Sequence, residues 1–259
     1  MIYFLSDIHL GSRALPDRRA HQDRIIALLE SVRKDAAAIY LLGDIFDYWY
    51  EYFWPTRSKE REFGPFLNEL RSLTEGGIEV HFFIGNHDLW TFGQLEKRTG
   101  VIVHREPLTV AFQCSGLSAQ RSCSETVVYM CHGDEFCVDN HYPALRRFFH
   151  NPVAQFLFRF MPPCLGDYIG FTWAAASRRR ELVEPLEYQG EADEPLVQFA
   201  KIYSKTHEVN YIIFGHRHIE LDLQIAERTR VIVLGDLFRQ GTYASLDDKG
   251  QVMIHNWEE

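Results

Sequence analysis

One apolar run of this chain reads Ile39-Tyr-Leu-Leu-Gly-Asp-Ile-Phe-Asp47, and it stops abruptly at Gly43 and the carboxylate of Asp44. A short β-branched and aliphatic run closed by glycine predicts a buried strand that delivers its next residue to the edge of a sheet. A single Gly-Asp pair after a strand also fits an ordinary turn. The pattern becomes informative only if it recurs.

Four other apolar runs end in the same way, each in side chains that bind metal ions. They are Ile2–Leu5 before Asp7 and His9, Val80–Ile84 before Asn86, His87 and Asp88, Val127–Met130 before His132 and Asp134, and Tyr211–Phe214 before His216 and His218. Five strand ends with metal-ligand chemistry therefore indicate a metal site.

The spacing within two of these motifs agrees with strand geometry. Side chains two residues apart on a strand point the same way, so Asp7 and His9 can face one point, and so can His216 and His218. Carboxylates, imidazoles and one amide form a mixed donor set that suits divalent transition metals. The predicted ligands are Asp7, His9, Asp44, Asn86, His132, His216 and His218. Seven ligands are too many for one tetrahedral ion, which predicts two ions bridged by Asp44.

The ordered set of motifs resembles that of the calcineurin-like metallophosphoesterases. The motifs are Asp-x-His, Gly-Asp, Gly-Asn-His-Asp, His-Gly-Asp and Gly-His-x-His, and they lie between residues 5 and 218. The resemblance implies two divalent metal ions. Mn²⁺ is the expected metal, with Fe or Zn as alternatives. It assigns one ion to Asp7, His9, Asp44 and His218, and the other to Asp44, Asn86, His132 and His216.

Residues 137 to 180 carry a second resemblance, to the bacterial UDP-2,3-diacylglucosamine hydrolases of lipid A synthesis. Cys137-Val-Asp-Asn-His-Tyr142, Arg146-Arg147 and His150-Asn-Pro152 match their pattern, and the tract from Phe156 to Arg180 is similar to their helical cap. The resemblance implies substrate contacts from Asp139, Tyr142, Arg146, Ser177 and Arg178. This chain departs from the best-known members at His87, where they carry arginine.

Composition limits the class of protein. A chain of 259 residues can bury one large core, and we expect one catalytic domain over residues 1–259 with a helical cap inserted at 141–184. A formal net charge of −9 argues against nonspecific nucleic-acid binding, which depends on Lys and Arg at phosphates.

The cysteines and the apolar runs bear on localisation. Five cysteines without a C-x-x-C pair predict reduced thiols in a cytosolic protein, although Cys114 and Cys123 are spaced to close a hairpin. Neither a signal peptide nor an apolar run long enough to span a bilayer is evident. These features predict a soluble or peripheral protein, and the resemblance to the lipid A hydrolases implies a cytoplasmic enzyme peripheral to the inner membrane.

Periodicity in the sequence predicts an α/β fold. The predicted helices are His21–Arg33, Glu60–Leu73, a short one at Thr91–Lys97, and one from Pro195 to Lys205. Strand, helix and strand up to Asp44 form a βαβ unit, so the sheet is at least partly parallel. Ser115–Thr126 is predicted to be a hairpin loop, and four antiparallel strands are predicted after His218. Together these elements predict two packed mixed β-sheets flanked by helices, a four-layer sandwich.

Two aromatic segments leave alternatives open. Residues 46–54 are either core packing beneath the site or a wall for a base or an acyl chain. Residues 141–184 contain nine aromatic residues and six arginines but only three acids. Such a mixture suits an interfacial helix at an anionic lipid surface. A cap whose rings pack on the domain explains the composition equally well.

The predicted chemistry is hydrolysis of a phosphate ester. Two divalent ions that share Asp44 would activate a water for in-line attack and neutralise the phosphoryl oxygens. His87 adjoins the ligand Asn86 and can act as a general acid at the leaving oxygen, with Asp88 orienting its ring. His21 is predicted to be a solvated histidine at the start of a helix.

Three functions remain open. The first is hydrolysis of UDP-2,3-diacylglucosamine to UMP and 2,3-diacylglucosamine 1-phosphate, with a lipid-linked UDP-sugar and an anionic membrane surface as partners. The second is a soluble nucleotide phosphodiesterase or phosphatase. The third is a non-catalytic scaffold that binds proteins, which the complete ligand set disfavours.

Overall fold

The computed structural model describes residues 1–54, 57–88, 90–114, 125–137, 147–149, 151–183 and 187–257, without the side chains of residues 57 and 176–183. The strands are β1 (Ile2–Leu5), β2 (Ala38–Leu42), β3 (Glu79–Phe83), β4 (Ile102–His104), β5 (Leu108–Gln113), β6 (Glu125–Cys131), β7 (Tyr211–Phe214), β8 (Glu220–Ala226), β9 (Thr229–Leu234), β10 (Thr242–Leu246) and β11 (Val252–Asn256). The helices are α1 (Arg18–Val32), α2 (Arg57–Glu75), α3 (Gln94–Thr99), α4 (Pro152–Arg159), α5 (Pro163–Val183) and α6 (Pro195–Tyr203).

The strands form two mixed sheets. The first has the order β11-β10-β1-β2-β3-β4 and the second the order β5-β6-β7-β9-β8. Strands β1 to β4 run parallel, with β4 at the edge of its sheet, as do β6, β7 and β9, while β10, β11, β5 and β8 pair antiparallel with their neighbours. Parallel strands bring their carboxyl ends to the same edge, which is where open α/β sheets bind ligands. The prediction of an α/β fold with two mixed sheets is confirmed.

Alternation along the central strands explains how these sheets pack into layers. In β2, Ile39 and Leu41 face a core shared with α1 and α2, whereas Tyr40 and Leu42 face a second core between the sheets. The second sheet is covered on its far side by α6, which contributes Leu196 to a third core. All five residues of β2 are buried, as expected for a strand covered on both faces. Burying each large aliphatic or aromatic side chain contributes about 1.5–3 kcal/mol.

Helix α1 begins earlier than predicted, and this changes the environment of His21. The carboxylate of Asp17 caps the helix by accepting hydrogen bonds from the main-chain N–H groups of Arg19 and Ala20, at 2.9 and 3.0 Å. His21 therefore lies inside the helix, where it is 6% exposed and its Nε2 is 2.8 Å from the carbonyl oxygen of Ile8. The prediction of a solvated histidine was wrong.

Helix α3 begins three residues later than predicted, because its cap comes from a distant part of the chain. The carboxylate of Glu51 accepts hydrogen bonds from the main-chain N–H groups of Gln94 and Leu95, at 2.9 and 2.7 Å. A carboxylate at a helix N-terminus satisfies free donors and complements the helix dipole.

Strand β6 extends into the predicted hairpin loop, which ends before Glu125 rather than after Thr126. Residues 115–124, with Cys123, lie outside the described residues. Among the described cysteines, Cys114, Cys131, Cys137 and Cys164, no two are joined by a disulfide.

The aromatic segment 46–54 divides into a buried half and an exposed half. Tyr50 and Tyr52 are buried, and their hydroxyls donate hydrogen bonds to the carbonyl oxygen of Gln155 on α4 and to the carboxylate of Asp167 on α5. Phe53 and Trp54 are 55% and 53% exposed. Core packing is thus confirmed for the two tyrosines, which connect α4 and α5 to the segment that follows Asp44.

No helix among the described residues has the length and apolarity to cross a bilayer.

Candidate dimetal site

The predicted ligands lie in loops just beyond the ends of their strands, and most of them share an unusual backbone. Left-handed φ angles occur at Asp7 (51°), His9 (51°), Asp44 (54°), His216 (67°) and His218 (50°). These are the non-glycine residues with positive φ in the described part of the chain. Such a conformation costs on the order of 1 kcal/mol or more at each residue and clusters at functional sites. The side chains therefore converge through sharp bends, and the prediction that strand pleating aligns Asp7 with His9 gave the wrong cause.

The first cluster consists of Asp7, His9 and His218, whose candidate ligand atoms lie within 4.8 Å of one another. Oδ1 of Asp7 is 3.3 Å from Nε2 of His218 and 3.8 Å from Nε2 of His9. The other oxygen, Oδ2, accepts a 2.9 Å hydrogen bond from the main-chain N–H of His216, which fixes the carboxylate. Oδ1 is buried and has no hydrogen-bond partner among the described residues.

The second cluster consists of Asp44, His132 and His216. Oδ2 of Asp44 is 3.4 Å from Nε2 of His132 and 3.9 Å from Nε2 of His9, so this one oxygen faces both clusters. The amide oxygen of Asn86 is 3.3 Å from Nε2 of His132. The structure therefore brings all seven predicted ligand side chains together at one place.

These separations fit divalent metal ions. Two atoms that bind one ion with bonds of about 2.1 Å lie about 3.0–3.4 Å apart. The distances Asp7 to His218, Asp44 to His132 and Asn86 to His132 are 3.3, 3.4 and 3.3 Å. A buried carboxylate oxygen without a hydrogen-bond donor costs about 1–3 kcal/mol, which a cation beside Asp7 Oδ1 would offset. The donor set thus fits two ions, with Asp44 between them.

Electrostatics within the clusters are strongly coupled. Burial by itself would lower the pKa of His132, but the carboxylate of Asp44 holds that pKa well above its usual range. Burial and the neighbouring His132 lower the pKa of His216 to about 3, so this imidazole is neutral. Burial raises the pKa of Asp7, and the carboxylate of Asp44 adds to the effect. Crowded carboxylates and imidazoles of this kind are stabilised when cations bind between them.

The orientation of His132 is set by the end of β2. Its Nδ1 lies 2.9 Å from the carbonyl oxygen of Leu42 and donates to it, so in the neutral ring the lone pair lies on Nε2, which faces the site. A Cβ atom at Gly43 would lie 2.5 Å from this Nδ1, and Gly43 has φ of +84°. Only glycine therefore allows the imidazole to approach the strand end so closely.

His87 enters the site by a similar arrangement. Its Nδ1 is 2.8 Å from the carbonyl oxygen of Asp47, which orients Nε2 to within 4.0 Å of Oδ2 of Asp44. His9, Asp44 and His87 form a further group of candidate ligand atoms within 4.8 Å.

Asp88 has a different role from the predicted one. Its carboxylate accepts hydrogen bonds from the main-chain N–H groups of Ile45 at 2.7 Å and Gly85 at 2.7 Å, with longer ones from Asp44 and Phe46 at 3.3 Å. The prediction that Asp88 orients the ring of His87 was wrong, since Asp47 does so. Asp88 instead ties the loop that carries Asn86 to the loop that carries Asp44.

The predicted substrate contacts fall in two parts of the chain. Asp139, Tyr142 and Arg146 lie outside the described residues. Ser177 and Arg178 belong to α5, but their side chains are not described.

Sequence reasoning missed one residue of the site, Asp236. It is 2% exposed, and its Oδ2 is 3.2 Å from Nδ1 of His218. The signal was present, because the apolar run of β9 ends in Leu234-Gly-Asp236, the same pattern as Leu42-Gly-Asp44. It was overlooked because no histidine or asparagine accompanies it.

Comparison with known proteins agrees with the site. The chain belongs to the calcineurin-like phosphoesterase family, whose sequence profile matches residues 1–220. Together with the ligand clusters, this identifies a metal-dependent hydrolase that binds divalent metal ions.

Individual relatives have names more specific than that of the family. A protein of Porphyromonas gingivalis named UDP-2,3-diacylglucosamine hydrolase is 36% identical over 259 residues, covering 95% of this chain and 94% of the relative. A protein of the same name from Vibrio parahaemolyticus is 28% identical, covering 95% of this chain and 94% of the relative. Among solved structures, a dimetal phosphatase from Danio rerio aligns with 99% of this chain and 98% of its own, with 13% identity and a TM-score of 0.47.

Proposed function

We propose that this chain hydrolyses the pyrophosphate of UDP-2,3-diacylglucosamine, releasing UMP and 2,3-diacylglucosamine 1-phosphate. The observation that carries the proposal is the Porphyromonas gingivalis relative, which is named for this substrate and is 36% identical over 95% of the chain. The buried clusters of carboxylates and imidazoles supply the chemistry that such a hydrolase needs.

Two sets of side chains hold the metal ions in this proposal. One set is Asp7, His9, Asp44 and His218, and the other is Asp44, Asn86, His132 and His216. Manganese is the expected metal, with iron or zinc as alternatives. When bound, the two ions activate water and neutralise charge on the phosphoryl oxygens.

His87 supplies the proton in this scheme. The carbonyl oxygen of Asp47 accepts from Nδ1, so the opposite nitrogen, Nε2, is the one directed to the substrate. The general acid is the imidazolium form of His87, with protons on both ring nitrogens. As water forms the new P–O bond it releases one proton to solvent, the bridging P–O bond breaks, and the leaving oxygen takes the proton of Nε2, which leaves His87 as neutral imidazole. The leaving group from a UDP-linked sugar is a phosphate monoester, which departs readily and depends little on this proton.

The cap supports a lipid substrate. In the proposal, residues 1–259 form one catalytic domain and residues 141–184 an inserted cap that includes α4 and α5. An aromatic ridge formed by Phe53, Trp54, Phe156 and Phe160 is 46–58% exposed. Its rings touch at centroid distances of 5.0–5.4 Å. Exposed rings on a segment whose sequence contains six arginines suit an anionic lipid surface, which favours a cytoplasmic enzyme peripheral to the inner membrane.

A product assay tests the proposal directly. Mn²⁺-loaded protein is incubated with UDP-2,3-diacylglucosamine, and in parallel with bis(p-nitrophenyl) phosphate and UDP-glucose. Equimolar UMP and 2,3-diacylglucosamine 1-phosphate, formed far faster than UMP from UDP-glucose, are expected. Cleavage of the aryl diester without release of UMP from the lipid would instead favour the soluble phosphodiesterase.

Variants of the cap separate acyl-chain recognition from a generic lid. Phe148, Phe156 and Trp173 are 48%, 58% and 52% exposed, and Ile202 on α6 is an apolar control that is 65% exposed. Alanine at the three cap positions should lower kcat/KM for the diacyl substrate about tenfold more than for the aryl diester, because remote contacts orient the reacting phosphorus. Ile202→Ala should change neither value. Equal losses for both substrates would contradict acyl-chain recognition.

A further inference from the structure

The loop between β9 and β10 places a buried carboxylate behind a ligand of the first cluster. Asp236 directly follows Gly235 at the end of β9 and is 2% exposed. The main chain holds it there, because its carbonyl oxygen accepts a 3.0 Å hydrogen bond from the N–H of Thr242 at the start of β10.

The two carboxylate oxygens of Asp236 have separate contacts. Oδ1 accepts hydrogen bonds from the main-chain N–H groups of Arg239 and Gln240, at 2.5 and 3.0 Å. Oδ2 lies 3.2 Å from Nδ1 of His218. The side-chain amide of Gln240 also donates a 2.9 Å hydrogen bond to the carbonyl oxygen of His218. The loop therefore braces His218 through both its ring and its main chain.

The contact with Asp236 decides which tautomer His218 adopts. An ionised carboxylate only accepts hydrogen bonds, so Nδ1 of His218 must be the donor. The lone pair of the neutral ring then lies on Nε2, which faces the unpartnered oxygen Oδ1 of Asp7 at 3.3 Å. A metal ligand needs this form, with the lone pair aimed at the ion.

We propose that Asp236 is a positioning residue that fixes the tautomer and the orientation of His218 for metal binding in the first cluster. The inference rests on the proposed assignment of His218 as a ligand. In the second cluster, Nδ1 of His132 contacts the neutral carbonyl oxygen of Leu42, whereas Nδ1 of His218 contacts a carboxylate. Loss of the Asp236 carboxylate therefore acts on one metal site and spares the other.

Substitution by asparagine separates this role from support of the loop. In Asp236→Asn the amide oxygen still accepts from Arg239 and Gln240, while the NH₂ group faces Nδ1 of His218 and favours the opposite tautomer. The metal-free full-length protein is titrated with Mn²⁺ alone by isothermal calorimetry. One of two Mn²⁺ equivalents should bind about 10–100-fold more weakly, the usual effect of losing such a partner. The melting temperature of the metal-free protein should be unchanged.

Two further variants make the result specific. Asp247→Asn is the matched control, because Asp247 also accepts from two main-chain N–H groups, those of Lys249 and Gln251, and should leave both affinities unchanged. In a His218→Ala background, Asp236→Asn should cause no additional loss, since it acts through that ring.

Four outcomes would overturn the inference. Wild-type affinities in Asp236→Asn would remove the positioning role, and a loss that persists in the His218→Ala background would assign Asp236 another target. If Asp236→Asn weakens Mn²⁺ binding at both sites equally and lowers the melting temperature, Asp236 only stabilises the loop. If His218→Ala itself binds two Mn²⁺ ions normally, the ligand assignment within the proposed function fails as well, a result distinct from failure of Asp236 alone.

Discussion

The main-chain N–H of His87 donates a 2.9 Å hydrogen bond to Oδ1 of Asp44, which leaves Oδ2 as the oxygen that faces both ligand clusters. Oδ2 lies 3.4 Å from Nε2 of His132 and 3.9 Å from Nε2 of His9. The loop after β3 thus orients the carboxylate at the end of β2, and the bridging position depends on a contact between residues far apart in sequence.

Asp44→Asn should lose both metal ions. The N–H of His87 requires an acceptor at the position of Oδ1, so the amide oxygen should settle there and the NH₂ group, which cannot bind metal, should occupy the bridging position. Asparagine tolerates the left-handed φ of this residue, so folding should be preserved. Elemental analysis should find less than one metal per chain, and kcat/KM should fall by about a thousandfold or more, since metal ions supply several kcal/mol of transition-state stabilisation. A variant with two metals and wild-type turnover would refute the two-metal arrangement.

His87→Ala should affect substrates according to their leaving groups. Removing a general acid typically costs about 10²–10⁴-fold where the departing oxygen is basic, and much less where it is not. Alkyl phosphodiesters should therefore slow strongly, and a UDP-linked substrate by less than about tenfold. Rates across a leaving-group series measure this, with His207→Ala as a control at an exposed histidine. A uniform loss across the series would assign His87 to phosphate binding.

Gly85→Ala should disrupt the site through a steric clash. A Cβ atom at this position would overlap Oδ1 of Asp44 and lie 2.5 Å from its main-chain nitrogen. Gly64→Ala is the control, because a Cβ there meets only Glu60 at 3.6 Å and alanine favours a helix over glycine by about 1 kcal/mol. Gly85→Ala should lower the free energy of unfolding by several kcal/mol and abolish Mn²⁺ binding, whereas Gly64→Ala should be neutral or stabilising. Normal Mn²⁺ affinity in Gly85→Ala would show that this close approach is dispensable.

Lys59 should make stability depend on pH in a predictable direction. Burial lowers the pKa of this lysine to about 7, and its ammonium lies 4.7 Å from the ring centroid of Trp49. The unfolded chain keeps the ordinary pKa of 10.5 and therefore binds more protons than the folded chain between about pH 7 and 10.5. Stability must then rise with pH across this window, by up to about 1.4 kcal/mol per pH unit.

Denaturant titrations of the metal-free protein from pH 6.5 to 9 measure this effect. The stability of wild type relative to Lys59→Met should increase with pH, because only wild type carries the buried amine. Lys34→Met removes an exposed lysine. The difference in the free energy of unfolding between wild type and this variant should not change with pH. A flat difference for Lys59→Met as well would mean that the folded protein keeps this lysine protonated throughout the range.

Much of the fold and most of the site could be predicted because the relevant signals are local. The five apolar runs that end in metal ligands all form strands, since alternation and β-branching are properties of a few adjacent residues. Parallel strands place their carboxyl ends at one edge, so the ligand motifs, read in order, already indicated a shared site. The same signal at Leu234-Gly-Asp236 was available and marked a residue that contacts the site.

Partners far apart along the chain could not be predicted in this way. Asp88 follows Asn86 and His87 in one motif, which suggested an orienting role, yet its carboxylate accepts from amides 42 to 44 residues away. Glu51 likewise caps α3 across 43 residues. A carboxylate accepts from any donor that packing brings within reach, so its sequence neighbours do not identify its partner.

The amino-acid sequence by itself determined the strands, their order of ligand motifs and the kind of atoms that can meet a metal, because side-chain chemistry and strand periodicity are written in short segments. Only the tertiary structure decided how those atoms converge. Five left-handed bends turn the ligands inward, and Asp47, Asp88 and Asp236 hold rings and loops from other segments. These bends are strained conformations that persist because contacts between distant segments stabilise them.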